Sequence, residues 1–109
     1  MDETGLRKEA IDKFVERAQE YGGRIEKIIL FGSYVRGDFT KESDVDVLVI
    51  WKGKQLDGWN SLERIVTDIL IEFDVLISLK IISPKDYRTM VELGMPFIQS
   101  IEREGVVLG

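Results

Sequence analysis

Two short groups of residues in this chain have the types and spacing to do chemistry together. Gly32-Ser33 follows the apolar run Ile28-Ile29-Leu30-Phe31, and after ten intervening residues comes Asp44-Val45-Asp46. A small-residue turn directly after a strand can bring backbone N–H groups to a phosphate. Two carboxylates on one face of the next strand, roughly 6.6 Å apart along it, can lean onto one divalent cation. Together they describe a metal–nucleotide site.

The residues that are missing narrow the chemistry further. With no Cys and no His, the chain has no thiolate nucleophile, no Ser-His-Asp triad and no cysteine- or histidine-ligated metal. Any metal must sit on oxygen, which favours magnesium, manganese or calcium, and the side chains left for acid–base work are mainly Asp, Glu, Lys and Tyr. A formal net charge of −5 argues against a broad nucleic-acid-binding surface, because phosphate affinity accumulates from Lys and Arg. It leaves room for a nucleotide or a locally basic partner face.

The elements that must position these groups follow from periodicity. At 109 residues, 44% hydrophobic and 32% charged, the chain is expected to form one domain, residues 1–109, folding alone or as a small oligomer. Leu6, Ala10, Ile11, Phe14, Val15 and Ala18 recur at helical spacing, so a helix is expected from about Gly5 to Tyr21, stopped by Gly22-Gly23. Ile25 to Phe31 reads as a buried strand, and Ser33 to Arg36 as a short helical turn with Ser33 as N-cap and Gly37 as terminator. The next strand is expected from about Ser43 to Trp51, with Asp44 and Asp46 on one face and Val45, Val47, Val49 and Trp51 on the other. A long helix through Trp59, Leu62, Ile65, Ile69 and Phe73 leads to a third strand over about Asp74 to Ile82. Ser83-Pro84 starts another helix, Pro96 opens a last short one to Gly105, and Val106-Val107-Leu108 is an apolar tail able to pair or dock. The polar, acidic start and the lack of an apolar run near the roughly 20 residues of a membrane span predict a cytoplasmic protein with no membrane partner.

The combination of an apolar strand, Gly32-Ser33, Arg36-Gly37, Ser43-Asp44-Val45-Asp46 and the continuing Val47-Leu48-Val49-Ile50 resembles the minimal nucleotidyltransferase domain of the DNA polymerase β-like superfamily, from about Ile25 to Pro84. The closing Glu102-Arg103-Glu104-Gly105-Val106-Val107-Leu108 also resembles the end of short prokaryotic members. The resemblance implies an α/β (α+β) fold: a small mixed sheet of three or four strands, with helices packed mainly on one face and the carboxylate face open. It implies transfer of an adenylyl group from ATP to a hydroxyl, with magnesium or manganese bound by the strand carboxylates. Carried onto this chain, Gly32 and Ser33 contact the nucleoside triphosphate and Asp44 and Asp46 bind metal. Arg36 either pairs with phosphate or braces the loop against an acidic side chain. The resemblance further implies a protein partner of the HEPN type, in toxin–antitoxin modules where the transferase modifies and silences a ribonuclease.

One departure from the family pattern sets a competing expectation. Members usually carry a third carboxylate on the later strand, and here the family's strand ending places Lys80 at that position. An amine does not bind magnesium, although it can pair with Asp44 or Asp46 or reach a phosphate. The alternative reading is therefore a catalytically degenerate module that regulates a partner by docking. Two rival motifs fail on their residues: Gly32 and Gly37 have P-loop spacing, but Asp38 and Phe39 stand where Lys and Ser or Thr are required. The acidic run to Asp46 lacks the central glycine and terminal Glu of a calcium loop.

Overall fold

The computed structural model describes residues 3–109. Along the chain lie α1 (Glu3–Ala18), a 3-10 helix (Gln19–Arg24), β1 (Ile25–Phe31), α2 (Ser33–Arg36), β2 (Val45–Trp51), α3 (Gln55–Phe73), β3 (Ile77–Ile82), α4 (Pro84–Glu92), α5 (Pro96–Glu104) and β4 (Val106–Val107). The strands form one mixed sheet in the order β3-β2-β1-β4. β1 pairs antiparallel with β2 and β4, and β2 pairs parallel with β3. The parallel pair requires a crossover, which α3 provides.

β2 is the centre of the molecule. Six of its seven residues, Val45, Val47, Leu48, Val49, Ile50 and Trp51, are at most 1% exposed. Alternation sends Val45, Val47, Val49 and Trp51 into one apolar cluster, with Ala10, Phe14 and Ala18 of α1 and Leu62, Ile65 and Ile69 of α3. Leu48 and Ile50 enter a second cluster on the opposite face, with Ile29, Tyr87, Ile98 and Ile101. The two long helices thus cover one face, as expected. The short helices α4 and α5 cover part of the other and leave its end near Asp46 open. Each fully buried aliphatic or aromatic side chain contributes about 1.5–3 kcal/mol, so the rigidity of the site rests on this two-sided strand. Among the described residues, no helix is long and apolar enough to cross a membrane.

Four boundaries differ from the sequence expectation: α1 ends at Ala18, short of the expected Tyr21, where the 3-10 helix takes over, and the other three each have a local reason. β2 begins at Val45, whose N–H donates to the Leu76 carbonyl at 3.0 Å, so Asp44 stands just before the strand. β3 begins at Ile77 because α3 runs to Phe73 and Asp74 caps it in a left-handed conformation, φ 54°, its N–H donating to Leu70. Gly32, not Ser33, is the N-cap of α2, with φ 82° and ψ −157°. The tail pairs instead of docking, Leu108 N–H reaching the Ile28 carbonyl at 2.7 Å. Ser83 caps α4 as expected, accepting from Asp86 N–H at 3.0 Å.

Candidate functional site

The site grows from the end of β1. Phe31 pairs with Asp46 across the β1–β2 ladder, and the chain then turns at Gly32 in a conformation that an L side chain rarely adopts. The turn is also too close for a side chain. A Cβ on Gly32 would overlap Asp46 Oδ2 and lie 2.9 Å from Asp46 Cγ. The backbone of the turn therefore packs directly on the carboxylate. α2 follows and stops at Gly37, φ 84°, whose N–H donates to Ser33 and Tyr34 carbonyls.

The turn, Asp46 and α5 enclose an open cleft of about 400 Å³, lined by Phe31, Gly32, Ser33, Arg36 and Asp46 on one side and Phe97, Ser100, Ile101 and Glu104 on the other. Four of the five expected site residues, Gly32, Ser33, Arg36 and Asp46, meet here. Asp44 is exposed beside Asp46 and does not line the cleft. Its charge still reaches its neighbour. Burial pushes the Asp46 carboxyl above its ordinary value, and Asp44 adds to the rise, while Lys80 and Arg36 oppose it.

Arg36 braces the site. Its Nε lies 3.4 Å from Asp38 Oδ2 and its guanidinium 3.9 Å from Glu104 Oε2, linking α2 to α5. Both pairs are exposed, and such pairs contribute only about 0–1 kcal/mol, so the guanidinium is available to a stronger anion in the cleft. Ser33 lines the same wall.

On β3, Ser78 pairs with Asp46 and Lys80 with Leu48. Neither is a carboxylate, and among the described residues no three Asp, Glu, His or Cys side chains gather to hold a metal. Asp44 and Asp46 are the hard oxygen donors at this place, a set that suits magnesium or manganese completed by water and substrate phosphates. Desolvation of Asp46 and its repulsion by Asp44 are terms that a cation bound between the two carboxylates would offset.

Two contributors escaped the sequence reading. Arg7 is buried, and its guanidinium reaches the carbonyls of Thr40, Lys41 and Ser43 at 3.0, 3.2 and 3.2 Å. It also lies 5.0 Å from the centre of the Phe39 ring, so α1 holds the loop that delivers Asp44. The signal was an arginine on the apolar stripe of Ala10, Ile11 and Phe14. The second is the α5 face of Phe97, Ser100, Ile101 and Glu104, at helical spacing. Ile98 is buried at 1% exposure while Phe97 is 37% exposed, as adjacent helix residues diverge; two neighbouring apolar residues carried no sign in the sequence of which one faces the cleft. Trp51 is buried against Tyr21, and Tyr34 packs on Phe39, so neither aromatic enters the cleft.

A four-stranded mixed sheet whose β1–α2 turn lies on a strand carboxylate is the frame of this site, and the comparisons with known proteins give its family. The nucleotidyltransferase domain family matches residues 11–104. A protein of Methanocaldococcus jannaschii named "Putative protein adenylyltransferase" is 36% identical over 91% of this chain and 94% of its own length. The chain belongs to the nucleotidyltransferase family. Two solved structures share its fold at 20% identity: a toxin–antitoxin with AMP-PNP, TM-score 0.59 over 90% of this chain and 71% of that one, and a mutant of the toxin–antitoxin MntA-HpeT, TM-score 0.57 over 91% and 71%.

Proposed function

We propose that this chain transfers an adenylyl group from ATP to a hydroxyl of a protein partner in the cytoplasm, with magnesium or manganese held by Asp44 and Asp46. The observation that carries this reading is the packing of the Gly32 turn on the Asp46 carboxylate, an arrangement that suits a triphosphate and a carboxylate-held cation at one point. Backbone N–H groups of Gly32 and Ser33 bind the phosphates, and Arg36 exchanges its exposed carboxylate partners for phosphate oxygens. A bound metal supplies positive charge at the α-phosphate and at the pyrophosphate leaving group. The protein's residues position the reactants. The name of the Methanocaldococcus relative supports a protein acceptor. The toxin–antitoxin neighbours support a dedicated partner, and a small helical protein of the HEPN type suits the open cleft.

The test is transfer of label from ATP carrying a radioactive α-phosphate into an extract of the source cells, against the D44N/D46N protein. The expected result is a labelled protein band that requires both carboxylates. The lack of a third carboxylate on β3 favours a second reading, a docking module without catalysis. It predicts no label, with partner binding and biological effect both intact in D44N/D46N.

A further inference from the structure

We propose that Lys80 is a catalytic residue of nucleotidyl transfer, its ammonium supplying positive charge to the α-phosphoryl group and the entering acceptor oxygen from the β3 flank of Asp46. The inference rests on the nucleotidyltransferase reading above.

Topology separates the two flanks. β2 lies between β1 and β3, and Asp46 pairs with Phe31 on one side and Ser78 on the other. The phosphate-binding turn continues from Phe31, so the triphosphate lies on the β1 flank. In-line displacement then brings the acceptor from the β3 flank, opposite the leaving pyrophosphate. Lys80 occupies that flank. It pairs with Leu48, one alternation from Asp46 on the same face, which in a parallel pair with strands about 4.8 Å apart places the two residues roughly 8 Å from each other, within reach of a long side chain. Its Nζ lies 5.9 Å from the centre of the Phe97 ring, and Phe97 meets Phe31 edge to face at 5.7 Å. The side chain thus runs across the sheet face towards the cleft wall. It forms no ion pair with a described carboxylate.

The chemistry explains why a cation there is useful. A bond forms between the acceptor oxygen and the α-phosphorus, and the bond from that phosphorus to the bridging oxygen breaks. The electron pair departs with pyrophosphate, and the acceptor proton passes to water in the open cleft. Negative charge gathers on the α-phosphoryl oxygens and on the entering oxygen, and Ser78 and Lys80 bring no carboxylate to recruit a second cation beside them. An ammonium on this flank provides that charge directly.

The test compares the wild-type chain with Lys80→Met and Lys80→Asp by three measurements: the rate of label transfer from ATP in cell extract, calorimetric affinity for α,β-methylene ATP, and manganese ions bound per chain by electron paramagnetic resonance. We expect Lys80→Met to lose about 100-fold in transfer rate while affinity changes by less than about threefold, the pattern of an interaction made in the transition state. We expect one manganese ion per wild-type chain and no recovery in Lys80→Asp. A Lys80→Met rate close to wild type overturns the proposal, as does a loss of affinity as large as the loss of rate. So does a Lys80→Asp protein that binds a second manganese and outpaces the wild type. A wild-type chain that transfers no more label than D44N/D46N overturns the nucleotidyltransferase reading and this one together, whereas an active wild type beside an equally active Lys80→Met overturns only the role of Lys80.

Discussion

Replacing Gly32 by Ala tests whether the contact between turn and carboxylate organises the site. Two costs add. The φ of 82° with ψ of −157° lies in a region reserved almost entirely for glycine, and holding another residue there costs about 1–3 kcal/mol. The new Cβ would overlap Asp46 Oδ2 and approach Asp46 Cβ to 3.1 Å. Relieving a clash of that kind in packed surroundings costs about another 1–3 kcal/mol, for about 2–6 kcal/mol in all. Gly37→Ala is the control, because its φ is also positive at 84° while nothing lies within 4 Å of a Cβ there. It should cost only the conformational part, about 1–2 kcal/mol. Urea denaturation followed by circular dichroism measures both. A double-mutant cycle with Asp46→Ala isolates the contact, because truncating the carboxylate removes the worst overlap. The coupling should exceed about 0.5 kcal/mol, the scatter of independent sites. Gly32→Ala no more destabilising than Gly37→Ala, or a cycle that is additive, would refute the packing argument.

Two further outcomes follow from the same geometry. Burial and Asp44 raise the Asp46 carboxyl in the folded state above its ordinary 3.8, so the folded state binds the proton more tightly than the unfolded chain. The stability linked to this proton is fully present below pH 3.8 and is lost as pH rises through the raised folded value. Asp46→Asn should therefore be more stable than wild type at pH 7, with the difference disappearing below pH 3.8; equal urea midpoints at pH 7 would contradict this. Arg7→Met should cost about 1.5–3 kcal/mol, the usual worth of hydrogen bonds from a charged donor, and should speed amide hydrogen exchange across Thr40 to Asp44 without altering β2. Unchanged exchange in that loop would show that Arg7 does not hold it.

What was legible in the sequence was whatever had a short period or a fixed local rule. The alternation of Val45, Val47, Val49 and Trp51 revealed β2, and Ser83-Pro84 revealed the start of α4. What was not legible depends on residues distant in the chain. Gly32 takes the cap position from Ser33 because Asp46, fourteen residues on, leaves no room for a side chain. Asp74 reads as strand by alternation, but packing of α3 on the sheet carries the helix to Phe73 and leaves Asp74 to cap it. The partial cover of the carboxylate face had a visible cause: Leu48, Ile50 and Ile82 lie on that face and need an apolar partner. Tyr87, Ile98 and Ile101 supply it. No pattern within β3 shows that Ser78, and not Lys80, sits opposite Asp46, because register is a property of the pair of strands.

Several unfavourable terms meet at the end of β2. Asp46 is the one charged residue of a strand that is otherwise dry, Asp44 repels it, and Gly32 holds a backbone conformation that few residues tolerate. A sheet with apolar packing on both faces can carry these costs locally, because the two clusters fix β2 whatever the state of its first carboxylate. Under the proposed function these terms would change sign: a cation held by both carboxylates would turn their repulsion into joint attraction. A site arranged in this way needs little rearrangement to bind. That is the physical sense in which Gly32, Asp44 and Asp46, placed by Arg7 and by the β1–β2 register, suit the phosphate chemistry proposed above.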